Sequence, residues 1–284
     1  MGQARTIGKT VSGQRAIDGA GVRLIRVIGH NDVKEFDPFL LLDAFDSRDP
    51  KDYTKGFPWH PHRGIETFTY LVEGKIEHGD SLGNKGVIQS GEAQWMTAGF
   101  GIIHQEMPQV VDHMLGLQLW INLPRNQKMC EPIYRDLTQE TMIEIVGDKK
   151  TVRLIAGEYE GKQVGVNQSK VEVRFMDIRM EADSDLTIKL PISHTLFLYV
   201  YYGKLAIDKQ DVPQRHAVLL KDGDEVVIHS IDASRFMWFE GEPLKEPIAW
   251  GGPIVMNTQQ ELQLAFDEID AGTFLKHKVE GKKA

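Results

Sequence analysis

The sequence predicts an all-β (mainly β) protein: two tandem small β-barrels with a short C-terminal helix. Three observations carry that prediction. Short apolar runs recur between glycine-rich turn signals along most of the chain. One run-and-turn pattern occurs twice. A shift of 129 residues lays Thr67–Lys75 (TFTYLVEGK) on Leu196–Lys204 (LFLYVYYGK), and a shift of 132 lays Gly91-Glu92 on Gly223-Asp224. Only one stretch carries a firm helix signature. Thr258-Gln259-Gln260-Glu261 is a capping box, opening a helix over about 258–271 toward Gly272. The expected partition is 1–136 for a first domain holding the chemistry and 137–284 for a second domain ending in the helix.

In order, Val22–Ile28 and Phe39–Leu42 read as strands, the second buried on both faces. Asp43 to Gly56 reads as a charged loop, and Pro58 and Pro61 favour extended backbone beyond it. Turn signals at Gly74, Gly79, Gly83-Asn84 and Gly91 cut out the runs Glu66–Val72, Gly86–Gln89 and Ala93–Thr97. Met114–Leu123 alternates, with Leu115, Leu117, Leu119 and Ile121 on one face, and Pro124 to Pro132 reads as a crossing between domains. The second half returns to strands at Thr151–Ile155, Val171–Met180, Leu186–Leu190, Leu196–Val200, Ala217–Leu220, Glu225–His229 and Phe236–Phe239. A parity shift at Phe175-Met176 suggests a bulge.

Composition narrows the class. At 284 residues, 41% hydrophobic and 26% charged, the chain is an ordinary globular protein. A net charge of −8 argues against direct nucleic-acid binding, which needs a basic face. The basic tail (Lys276-His277-Lys278, Lys282-Lys283) reads as a solvated end. A single cysteine, Cys130, excludes an internal disulfide and suits a reducing, cytoplasmic setting, or a nuclear one as well in a eukaryote. No run reaches the ~18 apolar residues of a membrane span, and no signal-peptide core follows Met1. The myristoylation pattern at Met1–Thr6 and the glycosylation triplet Asn167-Gln168-Ser169 read as chance matches.

The chemistry concentrates between Gly56 and Glu106. Residues two apart on a strand share a face, so His60 and His62 form one pair and His104 and Glu106 another. Repeatedly reversed short strands can bring the pairs opposite each other in a barrel mouth. Three imidazoles and a carboxylate suit Fe(II), Mn, Co, Ni or Cu better than Mg or Ca, which prefer oxygen shells. Zn is possible, although four protein ligands tend to close its tetrahedral site. Phe57, Trp59, Trp95 and Met107 flank the set as core or pocket lining, while His78 and His113 read as solvent-facing.

The motifs FPWHPHRGIET and QWMTAGFGIIHQEMP, followed by GLQLWINLP, resemble the two motifs of the cupin superfamily, and more closely the pirin family of bicupins. The resemblance runs from about Val22 through Thr258. It implies two cupin-type barrels and one divalent transition metal, Fe(II) first, held by His60, His62, His104 and Glu106. It places Glu66, a ligand in many other cupins, among the polar neighbours that orient ligands. It also implies one of two activities. The first is quercetin 2,3-dioxygenase chemistry, in which a small aromatic flavonol and dioxygen meet at the metal and Glu106 accepts the flavonol proton. The second is a metal- and redox-dependent co-regulator that docks on a protein partner. A metal-stabilised barrel with an unrelated reaction, such as an isomerisation, is the plainer alternative. Trp59 stands where pirin-like sequences often carry a smaller or acidic residue, which bears on pocket shape.

The second copy is expected to lack metal. Under the two shifts His60, His62 and Glu66 fall on Lys189, Pro191 and Thr195, and His104 and Glu106 on Phe236 and Trp238. His194, His216 and His229 are expected to be surface or hydrogen-bonded.

Overall fold

The computed structural model describes residues 2–164 and 169–276. Asn167 and the tail lysines from Lys278 on lie outside the described residues, as does Met1. Among the described residues no helix is long and apolar enough to cross a membrane.

The chain forms two β units. One gathers Arg15–Arg26, Phe39–Thr138 and Leu244 onward; the other gathers the residues up to Gln14, Val27–Pro38 and Gln139–Pro243. The middle division falls between Thr138 and Gln139, and both ends of the chain cross over it. The N-terminal strand Thr6–Val11 pairs with Ala217–Lys221, and the helix Gln259–Asp270 belongs to the unit that contains His60. Strand pairing and apolar packing over long sequence separations decide this, and local patterns do not register them.

Each unit has a long sheet and a four-stranded sheet in the same order. In the first unit the long sheet runs Ile133–Leu137, Ala93–Thr97, Ile65–Glu73, Met114–Asn122, Phe39–Ser47, Val22–Ile28, Gln14–Asp18. Its smaller sheet runs Phe57–His62, Ile102–Pro108, Lys75–Asp80, Lys85–Gln89. The second unit repeats both, with Ser184–Lys189, Glu225–Ser230, Lys204–Ile207 and Gln210–Pro213 as the smaller sheet. The repeated motif therefore marks one barrel built twice.

The registers make the repeat exact enough to compare interiors. His78 faces Glu106 in the first unit, and Ile207 faces Ile228 in the second. The 129-residue shift carries His78 onto Ile207, so Glu106 corresponds to Ile228 and His104 to Val226. His60 lies opposite His104 and Ile188 opposite Val226, which makes Ile188 the counterpart of His60 and Leu190 that of His62. All four counterparts are buried aliphatics in one apolar core. The expected alignment with Phe236 and Trp238 is corrected, since both lie on Ser234–Gly241, the counterpart of Met114–Asn122. An interior filled by branched hydrocarbon offers no donor to a cation.

Smaller expectations also shift. A bulge does sit beside Phe175-Met176, but the extra residue, Ile155, is on the partner strand. Phe39 continues as strand to Ser47, and a short helix, Val33–Phe36, adds to the expected one. The capping box at Thr258 is formed, with its side chain accepting from the Glu261 N–H at 3.2 Å.

Candidate metal centre

The strands Phe57–His62 and Ile102–Pro108 are antiparallel neighbours, with His104 opposite His60 and Ile102 opposite His62. A bulge near Trp59 changes the register between His104 and Glu106, turning the His60 end of its strand. The three imidazoles converge: ring centroids lie 4.4 Å apart for His60 and His104, 4.8 Å for His60 and His62, and 5.0 Å for His62 and His104. One nitrogen from each lies within 4.8 Å of the others.

Two of the rings have fixed tautomers. His60 Nδ1 donates to the Pro58 carbonyl at 2.8 Å, and His62 Nδ1 donates to the Pro253 carbonyl at 3.1 Å. Each Nε2 is left as a bare lone pair, the arrangement that metal-binding histidines adopt. Burial holds His62 down at about 3, helped by the neighbouring His60, and the same two causes push His104 well below the ordinary value. Both rings are neutral at physiological pH and available as donors.

His104 supplies the test of fit. It is 1% exposed, and neither of its ring nitrogens has a hydrogen-bond partner. Leaving buried polar nitrogens unpaired costs about 1–3 kcal/mol each. A cation among the three imidazoles removes that cost for one of them, so the residues fit a divalent transition metal by chemistry as well as by position.

Glu106 shares a face with His104 and is 3% exposed, yet its carboxylate stands outside the three-imidazole group. Oε2 accepts from Gln118 Nε2 at 2.7 Å; Oε1 accepts from Thr69 Oγ1 at 3.1 Å and from Gln94 Nε2. Glu66 is fully buried elsewhere, accepting from Thr97 Oγ1 at 2.8 Å and Trp95 Nε1 at 3.3 Å. It ties two strands together and is not part of the cluster.

The flanking residues divide. Phe57 lines a narrow cavity with Thr69, Glu106 and Gln118 that has room for about one water. Trp95 is core, packed on Phe68. Trp59, 55% exposed, and Met107 line an open cleft with Glu77, Lys85, His78 and Asp80. His78 is not solvent-facing: its side chain is 1% exposed, and its ring stacks on Tyr134 at 3.9 Å. His113 is mostly covered too, between Glu73 and Asp46.

Several neighbours of the cluster escaped sequence reasoning. Trp120 lies edge-on to His62 at 5.0 Å, and Trp250 lies 5.9 Å from Trp120. Gln118 and Trp120 alternate with the Leu face of their strand, a parity signal that was readable. Trp250 and Pro253 arrive from a hairpin far along the chain and leave no local signal. His194, His216 and His229 are hydrogen-bonded, to Glu240, the Gln214 carbonyl and Asp185.

Two family models match the chain: pirin over residues 21–121 and the pirin C-terminal cupin domain over 175–275. A Pseudomonas aeruginosa protein provisionally named quercetin 2,3-dioxygenase is 40% identical, covering 96% of this chain and 99% of its own. The pirin of Homo sapiens is 38% identical over 93% of this chain and 92% of its own. A solved structure of a quercetin 2,3-dioxygenase from Acinetobacter baumannii superposes with a TM-score of 0.88 at 27% identity, covering 96% of this chain and 99% of that one.

Proposed function

Because the chain belongs to the pirin family of paired cupin barrels, we propose that it is a metal-dependent dioxygenase acting on flavonols. The substrate is a planar aromatic enol such as quercetin. Dioxygen adds across its central ring, which opens with loss of one carbon as carbon monoxide. The observation that carries the reading is His104, a buried imidazole with two unpaired nitrogens facing two imidazoles of fixed tautomer.

A divalent ion, Fe(II) by preference, would supply positive charge that lowers the pKa of a flavonol hydroxyl and open positions for guests. His60, His62 and His104 would hold it. Glu106 would complete the set on metal uptake, since a carboxylate has about four lone-pair sites and three are engaged. Gln94, Gln118 and Thr69 present neutral donors only, so they aim the carboxylate without neutralising it. So aimed, Glu106 accepts the proton of the incoming hydroxyl. Trp120 and Trp250, both half-buried, give a flat substrate an aromatic wall beside His62.

The test is metal analysis of the purified protein, followed by aerobic quercetin bleaching after reloading with Fe, Mn, Co, Ni, Cu or Zn singly. His62→Ala is expected to lose both metal and bleaching. Glu106→Gln is expected to lose bleaching by about 100-fold or more, the usual worth of a general base. A wild-type protein that holds metal and bleaches no flavonol under any loading would defeat the proposal.

A further inference from the structure

A fourth imidazole, His78, touches the cluster without belonging to it. Its ring lies 5.4 Å from that of His104, it is buried, and its Nδ1 has no hydrogen-bond partner. Its Nε2 is 3.1 Å from Asp80 Oδ2. Asp80 is saturated with donors: Oδ1 accepts the N–H groups of Leu82 at 2.9 Å and Asn84 at 3.0 Å, and Oδ2 accepts Asn84 Nδ2 at 3.0 Å. A carboxylate surrounded in this way acts only as an acceptor, so His78 must donate from Nε2. Nδ1 is then a bare lone pair, buried beside His104.

His104 has the complementary need. With one nitrogen on an ion, its other nitrogen carries the proton and lacks an acceptor. The neighbouring rings of His60 and His62 cannot serve, because their Nδ1 atoms are donors and their Nε2 atoms face the cluster. Resting on the metal reading above, we infer that His78, oriented by Asp80, is the outer hydrogen-bond acceptor of His104, directly or through one buried water. The chain Asp80–His78–His104 is a positioning device. It selects which nitrogen His104 offers to the ion and makes that nitrogen a stronger donor. The stack on Tyr134 holds the His78 ring plane, and the turn at Gly83-Asn84 builds the Asp80 cradle. Neither His78 nor Asp80 belongs to the three-imidazole group, so their effect on the ion is exerted through His104.

The full-length protein loaded with Zn(II) tests this without a variant. Long-range proton–nitrogen spectra of the imidazoles should show His78 protonated at Nε2 alone, and a His104 N–H protected from exchange with solvent. His78 carrying its proton on Nδ1 would overturn the inference. His78→Phe keeps a ring against Tyr134 and removes the acceptor. Chelator competition should then show Zn(II) affinity lower by about 10–100-fold, with faster exchange of the His104 N–H. His78→Gln, which retains an acceptor, should recover much of that loss. Unchanged affinity and exchange in His78→Phe would overturn the inference while leaving the metal centre standing. A wild-type protein that takes up no Zn(II) or other divalent ion would remove both.

Discussion

Lys128 shows how much a single side chain can escape a reading of its neighbours. It sits in the polar stretch Pro124 to Pro132, which reads as a crossing between domains, yet it is 2% exposed. Its Nζ donates to the carbonyls of Gly64 and Val255, each at 2.8 Å, and to Asn122 Oδ1 at 2.5 Å. Burial pushes the ammonium down to about 7, against the opposing pull of Glu246 and Glu261. Above that pH the folded chain has released a proton that the unfolded chain keeps until its ordinary lysine value near 10.4. The unfolded state then binds more protons, so the lysine's contribution to stability rises with pH between about 7 and 10. Below about 7 both states are protonated and the contribution is flat. Urea denaturation of wild type and Lys128→Met at pH 7 and pH 9.5 should show wild type gaining on the variant, by at most roughly 1.4 kcal/mol per pH unit. A difference that stays constant or shrinks would mean that the three oxygen acceptors keep the ammonium charged.

The element that completes the site is the hairpin Ala249–Gly251 and Ile254–Met256, with the helix behind it. It docks on the backbone just after His62: Val255 N donates to the Arg63 carbonyl at 3.1 Å, and Arg63 reaches Glu268 at 2.7 Å while its guanidinium lies over Phe274. Gly64 permits that approach. It has φ +76°, and a Cβ there would stand 2.0 Å from the Val255 carbonyl oxygen. Gly64→Ala should therefore push the hairpin away and take Pro253 from His62. The expected result is a loss of about 10–100-fold in metal affinity although no ligand changes, measured by chelator competition. Affinity equal to wild type would show that the hairpin does not set His62. The helix itself was legible, because its capping box is a local contract between Thr258 and Glu261. Its destination was not, because that depends on Arg63 and Phe274 meeting across two hundred residues of chain. The His-x-His and His-x-Glu pairs were legible for the same reason as the helix, since period-two parity is a property of the strand alone.

At the scale of the molecule, duplication of the barrel was readable from the aligned TFTYLVEGK and LFLYVYYGK segments, while the fate of the second site required the registers. Where the first barrel has His60, His62, His104 and Glu106, the second has Ile188, Leu190, Val226 and Ile228, packed into one core. Recovering a metal site there would mean burying imidazoles in hydrocarbon, where every unpaired polar group costs free energy. The second barrel is thus committed to packing, and uptake should stop at about one ion per chain. Elemental analysis after saturation and desalting measures this, and about two ions would refute the assignment of the second interior. The same asymmetry predicts how stability responds to chelation. An ion that binds only the folded chain adds RT ln(1 + [L]/Kd), about 2.7 kcal/mol at a hundredfold excess over Kd. Stripping the metal should therefore lower the thermal midpoint of wild type and leave His62→Ala where it was. A chelator that shifts both equally would be acting on something other than the imidazole cluster.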